Sequence, residues 1–302
     1  MTSEPAYVGR FAPSPTGPLH FGSLLAAVAS FAEARSNNGQ WLLRIEDIDP
    51  PREQPGADEL ILATLEAYGF EWDGPVTYQS QFTQRHELWV RQLVDTGLAY
   101  PCSCSRKDLA EIPRGPLGVI YPGTCRRGNT SPDVAIRVRT TDEPIQFTDS
   151  LQGTQCQRLE SESGDFIIKR RDGLIAYHLA VVADDFAQQI TEVVRGIDLL
   201  DSTPRQIWLQ RLLGFSTPNY MHIAVAMNDQ GQKLSKLAGA RGIRANDAGG
   251  TLFDAVHALA QNPPATLKGA GTAEIWDWTL ANWDVAQLIG KTEIAAAPYG
   301  YG

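Results

Sequence analysis

The strongest constraint on the fold is a strand–helix–strand pattern at the start of the chain. Residues 7–11 form a short, partly alternating run, and a loop rich in proline and glycine follows it. Residues 20–35 are apolar and rich in alanine, as in a buried helix, and residues 41–45 are a compact apolar run typical of a parallel strand. Two parallel strands joined by a helix make a right-handed crossover. Residues 7–47 therefore predict an α/β fold with a doubly wound parallel sheet.

Periodic segments continue on both sides of one irregular stretch. From residue 100 to about residue 133, cysteines, glycines, prolines and basic residues replace the periodicity, which indicates an insertion. Residues 295–302 are predicted to be a disordered tail. Helical spacing occurs at 58–68, 83–96, 203–213, 251–260 and 272–288, and strand-like runs after the insertion occur at 135–139, 166–170, 190–195 and 221–227.

Composition excludes several classes of protein. With 302 residues, 43% of them hydrophobic and 20% charged, the chain is neither disordered nor fibrous, and its length predicts about two domains. No window approaches the ~18 apolar residues of a membrane span, and residues 1–11 lack the apolar core of a signal peptide. We therefore expect a cytoplasmic protein with no membrane partner. A net charge of −9 excludes a generally basic surface, so a nucleic-acid partner would need local basic patches.

The loop between the first strand and its helix is the first candidate for chemistry. It contains His20 and Gly22, at the point where strand ends and a helix N-terminus converge and free backbone N–H groups can receive a phosphate. A histidine in the first helical turn can donate to a phosphoryl transition state. The alternative is a proline-rich turn with a surface histidine.

A second loop carries two lysines around a serine. Lys233 and Lys236 are flanked by glycines, and ammonium groups on flexible side chains can follow a moving pyrophosphate. The alternative is an ordinary solvated loop, which is the usual setting of such a pattern.

Together, these loops resemble the two signature loops of class I aminoacyl-tRNA synthetases. Residues 20–23 (His-Phe-Gly-Ser) take the place of "HIGH", and residues 233–237 (Lys-Leu-Ser-Lys-Leu) take the place of "KMSKS". The motifs at 10–20, 43–49, 177–185 and 194–196 are similar to the catalytic domain of glutamyl-tRNA synthetases, and the resemblance runs from about residue 7 to residue 240. Two positions depart from the general motifs. Ser23 replaces a histidine, as is usual in the glutamyl branch, and Leu237 replaces a serine, while His20 and Lys236 are both retained.

The resemblance implies a role for each motif residue. Glutamate has two carboxylates and one ammonium, so a selective site needs fixed cations, a hydroxyl and an anion. Without the resemblance, Glu46 could instead pair with Arg44 or Arg52, and Tyr177 could be a core aromatic. The implied glutamate-binding residues are Arg10, Tyr177 and Arg195 for the side-chain carboxylate, Glu46 and Ser14 for the ammonium, and Ala12 beside them. The implied ATP-binding residues are His20, Gly22 and Lys236, and the implied catalytic residues are His20, Lys233 and Lys236, acting on ATP with Mg²⁺.

Three cysteines in the insertion predict a metal site. Cys102, Cys104 and Cys125 can begin a tetrahedral zinc site, for which Cys156, His86 or Asp108 could supply the fourth ligand. The spacing resembles instead the zinc site of truncated paralogues of the glutamyl enzymes, which implies Tyr121 as the fourth ligand and one structural Zn²⁺. The alternatives are free structural cysteines or a redox switch, and we expect Cys156 to be a small buried apolar residue.

Chain length selects among the substrates that the family uses. Only residues 237–302 follow Lys236, which is too short for the helical anticodon-binding region of tRNA-charging glutamyl enzymes. The truncated paralogues lack that region and transfer glutamate to the queuosine base of tRNA(Asp), which is the expected reaction here. The alternatives are a short enzyme that charges the 3′ end of tRNA(Glu), and a non-catalytic amino-acid sensor.

This interpretation divides the chain into four parts and places the nucleic acid. The predicted parts are the first half of a Rossmann-type catalytic domain (1–99), a zinc-binding insertion (100–133) that begins an acceptor-like subdomain reaching about residue 175, the second half of the catalytic domain (176–240), and a short helical region without an anticodon-binding domain (241–302). We expect a monomer. The candidate phosphate contacts are the basic clusters 106–107, 126–127 and 169–171, for which the alternative is a scatter of solvated charges.

Overall fold

The computed structural model describes residues 6–115, 117–128, 131–234 and 241–301. The first strand, β1 (Val8–Phe11), is parallel to β2 (Gln40–Ile45), and helix α1 (Phe21–Ser36) connects them. The strand–helix–strand unit predicted at 7–47 is therefore confirmed. A short strand, β3 (Thr77–Tyr78), extends this sheet in parallel on the far side of β2.

The remaining strands form a second group of sheets. Hydrogen bonds between Val8 and Thr191 connect β1 to the residue just before β11 (Glu192–Gly196), so the parallel layer continues across distant parts of the chain. The strands, in chain order, are β4 (Ala99–Cys102), β5 (Arg114–Gly115), β6 (Gly118–Val119), β7 (Ala135–Val138), β8 (Pro144–Asp149), β9 (Gly153–Arg158), β10 (Phe166–Lys169), β11 (Glu192–Gly196), β12 (Asn219–Ile223), β13 (Val225–Met227) and β14 (Glu293–Ala295).

Their pairing mixes parallel and antiparallel contacts. Strands β11 and β12 are parallel, β12 meets β8 in parallel, and β8 and β9 form an antiparallel hairpin. Strand β7 lies between β4 and β10, antiparallel to both. The predicted α/β class with a parallel sheet is confirmed, while the predicted division at 99, 133, 175 and 240 stays a prediction.

Helices pack against the sheets and contribute many of the buried apolar side chains. Helix α1 is buried on nearly all sides, which explains why its sequence is apolar without a strong polar stripe. The other helices are α2 (Ala57–Ala67), α3 (Thr83–Asp95), α4 (Leu159–Glu162), α5 (Tyr177–Ala187), α6 (Thr203–Leu213), α7 (Ala248–Ala258) and α8 (Thr272–Asn282). Among the described residues, no helix is both long enough and apolar enough to cross a membrane.

The main core joins the two ends of the chain. Trp41 stacks on Phe70, and Phe31 meets both of these rings and Trp276 of α8 edge-on at 4.7–5.4 Å between ring centroids. Each such aromatic pair adds about 0.5–1.5 kcal/mol beyond the burial of its apolar surface. Helix α8 therefore stabilises the same core as the first two strands.

The predicted disorder of residues 295–302 is wrong for the residues described there. Strand β14 is parallel to β13, and the ring of Tyr301 stacks on Phe21 at 4.6 Å. Tyr299 also stacks on Phe21, at 5.6 Å. The run of small residues looked unstructured because its partners lie far away in the sequence, in β13 and at the start of α1.

Candidate active site

A cavity of about 750 Å³ opens at the carboxyl ends of β1, β2 and β11. This is the edge of a parallel sheet where ligands usually bind. The cavity brings together seven of the residues singled out in the sequence, namely Arg10, Ala12, Ser14, His20, Glu46, Tyr177 and Arg195. They come from segments that are far apart in the chain, so the fold assembles one site from the separate motifs.

His20 caps the N-terminus of α1. Its Nδ1 accepts a hydrogen bond from the backbone N–H of Ser23 at 3.2 Å, so in the neutral ring the proton is on Nε2. Gly22 lies beneath the ring, and a Cβ atom at position 22 would lie 3.1 Å from His20 Cε1. Glycine at this position therefore leaves room for the imidazole beside the cavity.

A network of buried charges forms one wall. Arg10 donates from Nε and Nη2 to the two carboxylate oxygens of Asp185, both at 3.2 Å, and Arg44 donates to the same carboxylate at 2.7 Å. Burial alone would raise the pKa of Asp185, but the two guanidinium groups hold this pKa below its usual range. Asp185 therefore stays ionised and fixes the orientation of Arg10.

Glu46 lies at the end of β2, next to this network. Its carboxylate is 3.6 Å from Arg44 Nη2, and Glu46 also lines the cavity. The ion pair with Arg44, which the sequence offered as an alternative, is therefore compatible with a place in the cavity. Burial raises the pKa of Glu46 to about 7, against the opposing effects of Arg44 and Arg10. The carboxyl group is therefore close to its titration midpoint at neutral pH.

Arg195 and Tyr177 also line the cavity. Arg195 donates from Nε to His222 Nε2 at 3.0 Å and from Nη2 to Thr203 Oγ1 at 2.8 Å. Its Nη1 is buried and has no hydrogen-bond partner within the described part of the chain. Burial raises the pKa of Tyr177, so its phenol is neutral and can donate a hydrogen bond.

The lysine loop is described only in part. Lys233 forms an ion pair with Asp198, which follows β11. Lys236 and Leu237 lie outside the described residues. The structure therefore connects the start of this loop to the segment that follows Arg195.

The cavity also involves residues that the sequence analysis did not assign to substrate binding. Thr16, Arg52 and Gln54 line it, and Arg44 and Asp185 hold its charged wall in place. Arg44 and Asp185 lie inside the motifs at 43–49 and 177–185, and this position was the only indication in the sequence that they belong near the site. Their partnership was not visible because 141 positions separate them.

The cysteines of the insertion form a second, separate site. The sulfurs of Cys102, Cys104 and Cys125 all lie within 4.8 Å of one another. The hydroxyl of Tyr121 is 3.3 Å from Cys102 Sγ and 3.5 Å from Cys104 Sγ, and it accepts the backbone N–H of Cys125 at 3.0 Å. Three sulfurs and one oxygen thus surround a single point, as in a tetrahedral site.

The other candidates for a fourth ligand lie elsewhere. Asp108 accepts hydrogen bonds from Ser105, and buried His86 contacts Asp184 at 2.9 Å. Cys156 is exposed, so the expectation that it is buried is wrong. It lies on β9, an edge strand of its sheet, where a side chain of this register faces solvent.

A cation accompanies the thiol cluster. The guanidinium of Arg137 lies 3.9 Å from the centroid of the Tyr121 ring and donates to Cys102 Sγ at 3.3 Å. Burial raises the pKa of Cys104 to about 11, whereas at Cys125 burial is outweighed by hydrogen bonds, mainly from the Tyr121 side chain, which lower its pKa to about 7. This chemistry suits a divalent metal that prefers thiolates.

Most residues of the predicted basic clusters form ion pairs within the protein. Arg126 forms ion pairs with Asp165 and Glu160, and Lys169 pairs with Glu87. Arg170 and Arg171 also pair with carboxylates. Across the described ranges, the exposed residues Arg106, Lys107 and Arg127 form no ion pair, so of the three clusters these keep a free charge.

Comparison with known proteins gives consistent results. A family model described as "tRNA synthetases class I (E and Q), catalytic domain" matches residues 7–116 and 124–248. A glutamyl-Q tRNA(Asp) synthetase of Ectopseudomonas mendocina is 50% identical over 293 residues, covering 97% of this chain and 98% of the relative. A protein of the same name from Pseudomonas aeruginosa is 52% identical over 289 residues, covering 95% of this chain and 96% of the relative.

A solved structure supports the fold. A glutamate tRNA ligase from Elizabethkingia meningosepticum, in complex with its amino acid, superimposes with a TM-score of 0.77 at 23% identity. The match covers 97% of this chain and 68% of that chain.

Proposed function

The chain belongs to the glutamyl-Q tRNA(Asp) synthetase family of class I (E and Q) tRNA synthetases and is therefore a ligase, and from this premise we propose that it activates L-glutamate with ATP and transfers the glutamyl group to the queuosine base of tRNA(Asp). One observation carries the proposal. Arg195 and Glu46 meet with His20 in one cavity, so a cation with a spare donor, a carboxylate and a phosphate-binding helix N-terminus surround the same space.

Glutamate recognition follows from the charges of that cavity. Arg10, Tyr177 and Arg195 offer guanidinium and phenol donors to the side-chain carboxylate. Glu46 and the hydroxyl of Ser14 receive the α-ammonium. Ala12 lies beside them as a small residue that leaves space for the substrate backbone.

The first chemical step is activation. One oxygen of the α-carboxylate attacks the α-phosphorus of ATP, the bond to the bridging oxygen breaks, and pyrophosphate leaves with the Mg²⁺ that accompanies the nucleotide. His20 donates to the charge that grows on the phosphoryl oxygens, with room provided by Gly22, and Lys233 and Lys236 stabilise the departing pyrophosphate. The product is glutamyl-adenylate.

The second step is transfer. A hydroxyl of the queuosine cyclopentenediol attacks the carbonyl carbon of the adenylate and releases its proton, and AMP leaves with the electrons of the broken C–O bond. No side chain is bound covalently, because the mixed anhydride is already an activated acyl donor and positioning supplies much of the rate.

The acceptor is supported by the relatives. Two relatives that this chain matches over nearly their whole length carry the queuosine-specific name, whereas the glutamate tRNA ligase structure is matched over 68% of its chain. The exposed residues Arg106, Lys107 and Arg127 are the remaining candidates from the predicted clusters for phosphate contacts.

We include one structural Zn²⁺ in the proposal. Cys102, Cys104, Cys125 and the Tyr121 hydroxyl would hold it, and the donor set fits because thiolates and a phenol oxygen converge within ligand reach. When bound, the metal supplies cross-linking of the insertion. Among the described residues, the cavity and the thiol cluster have no lining residue in common, so we assign the metal a structural role.

A single assay tests the reaction. The protein is incubated with labelled glutamate, ATP and Mg²⁺, and either tRNA(Asp) with queuosine, tRNA(Asp) without it, or tRNA(Glu). Label is expected only on the first tRNA. Labelling that does not depend on queuosine, or labelling of tRNA(Glu), would instead identify an enzyme that charges the 3′ end.

A second measurement separates an enzyme from a sensor. Glutamate-dependent exchange of pyrophosphate into ATP is expected without any tRNA. A protein that binds glutamate but never exchanges pyrophosphate would be a non-catalytic sensor.

A further inference from the structure

Two buried residues behind Arg195 have no part in the proposed chemistry. His222 on β12 lies directly beside Arg195 on β11, since the two residues are register partners in this parallel pair. Asp149, at the end of β8, meets the other side of the imidazole, with His222 Nδ1 and Asp149 Oδ2 2.6 Å apart. His222 is 0% exposed, Asp149 1% and Arg195 6%, so water does not compete for these hydrogen bonds.

Arg195, His222 and Asp149 form a chain of hydrogen bonds, called the relay below, in which the donors and acceptors can be assigned. Arginine has only donors, so His222 Nε2 must accept from Arg195 Nε. The imidazole proton is therefore on Nδ1 and is donated to Asp149. The other Asp149 oxygen, Oδ1, accepts the backbone N–H groups of Leu151, Gln152 and His222 at 2.9–3.2 Å, which fixes the carboxylate in place.

The relay treats Arg195 differently from the other arginines of the cavity. Arg10 contacts Asp185 directly, and Arg52 contacts Asp49. Within the described ranges, Arg195 has no ion pair, because a neutral imidazole separates it from Asp149. A direct carboxylate partner would neutralise the guanidinium, whereas the imidazole fixes its orientation and leaves its charge for a ligand.

We propose that Asp149 and His222 are positioning residues that hold Arg195 with Nη1 presented to the side-chain carboxylate of glutamate, and that they thereby favour glutamate over glutamine. The inference rests on the proposed function, because it takes the amino acid from it. A buried cation without a counter-ion binds a carboxylate more strongly than a neutral amide, so the unneutralised charge discriminates between the two substrates.

Two substitutions at one position test the proposal. In His222→Asn the shorter amide can still donate to Asp149 but offers no acceptor to Arg195. In His222→Gln the longer side chain carries an amide oxygen to the place of Nε2. The readouts are the Kd values for glutamate and glutamine by calorimetry and the KM values for glutamate and ATP in pyrophosphate exchange.

We expect His222→Asn to raise the Kd for glutamate roughly 10- to 100-fold, as for a lost hydrogen bond to a charged group. The preference for glutamate over glutamine should fall with it, while the KM for ATP stays the same. His222→Gln should recover most of the affinity and the preference. His257→Asn is the matched control, since His257 is exposed on α7 and contacts Tyr299 away from the cavity.

Other outcomes overturn the proposal. If both variants lose stability and affect ATP and glutamate alike, or if the glutamate preference is unchanged in His222→Asn, then His222 has only a structural role. Wild-type protein that binds glutamate but does not label tRNA(Asp) would overturn the proposed acceptor and leave this result standing. Wild-type protein that does not bind glutamate would overturn both.

Discussion

The cavity and the thiol cluster are both polar sites, but the chain builds them in opposite ways. The three cysteines and Tyr121 come from one segment of 24 residues and sit in a small apolar cluster of their own with Tyr100. The cavity residues come from strands and helices throughout the chain and rest against the two large cores. A locally built site with little core depends on its ligands for stability, whereas a site on a large core can lose a functional group and keep its fold.

The largest expected effect tests the cavity side of this comparison. His20→Ala should reduce glutamate-dependent pyrophosphate exchange roughly 10²- to 10³-fold, as removal of a transition-state donor does elsewhere. The melting temperature should fall by only about 1–4 °C, because the variant loses the hydrogen bond that caps α1 while the core beneath the helix stays intact. His257→Ala removes an exposed histidine and serves as the control. A large loss of stability in His20→Ala would show that the cavity is not independent of its functional groups.

The second largest effect tests how far the thiol cluster depends on its ligands for stability. Cys104→Ser should lower zinc content and reduce Tm by roughly 5 °C or more, corresponding to about 2 kcal/mol in a domain of this size. Transfer to tRNA should suffer more than pyrophosphate exchange. Elemental analysis, thermal unfolding and the two activity assays provide the measurements.

Cys156→Ser is the matched control for that variant. Cys156 is exposed and lies outside the thiol cluster, so its loss should leave metal content and Tm unchanged. Equal loss of exchange and transfer in a well-folded Cys104→Ser protein would contradict the separation of the two sites. Sensitivity to oxidants without bound metal would instead indicate a redox switch.

A smaller effect is expected from pH. Because the pKa of Glu46 is about 7, its carboxyl group is ionised above and protonated below that pH. Only the ionised form attracts the ammonium of glutamate, so the KM for glutamate should rise about tenfold as the pH falls from about 8 to about 6. Glu46→Gln should raise the KM at high pH and abolish this dependence. A pH profile that is the same in both proteins would assign the titration to another group.

The smallest effect on activity is expected from a small displacement of the His20 ring. In Gly22→Ala the new methyl group would lie 3.1 Å from His20 Cε1, so the ring must move by a few tenths of an ångström. We expect a roughly three- to tenfold loss of kcat with little change in Tm, since small displacements of catalytic groups are costly. An unchanged kcat would show that His20 does not need this exact position.

The sequence was most informative where a pattern is local. The periodicity of residues 7–47 predicted the first crossover, and the spacing of Cys102, Cys104 and Cys125 predicted a cluster that the structure brings together. Both rest on residues that are near one another in the chain. The exposure of Cys156 depends instead on strand register, which a single sequence does not reveal.

Residues whose roles depend on distant partners were missed. The role of Asp185 depends on its contact with Arg10, 175 positions away, and the role of His222 depends on its contact with Asp149, 73 positions away. No periodicity links such pairs. The same reason explains the wrong prediction for the tail, since nothing near Tyr301 in the sequence indicates that its ring stacks on Phe21.

The hydrogen bond between Val8 of β1 and Thr191, the residue just before β11, spans 183 positions. Closing so long a loop is entropically costly, and contacts of this range slow folding and defer native structure to its late stages. Arg10 and Arg195 lie on those two strands, so a partly folded chain has no glutamate pocket. During refolding, glutamate binding should therefore appear with the slowest phase, after most of the helical signal has returned, and the cavity reports on whether the whole chain has folded.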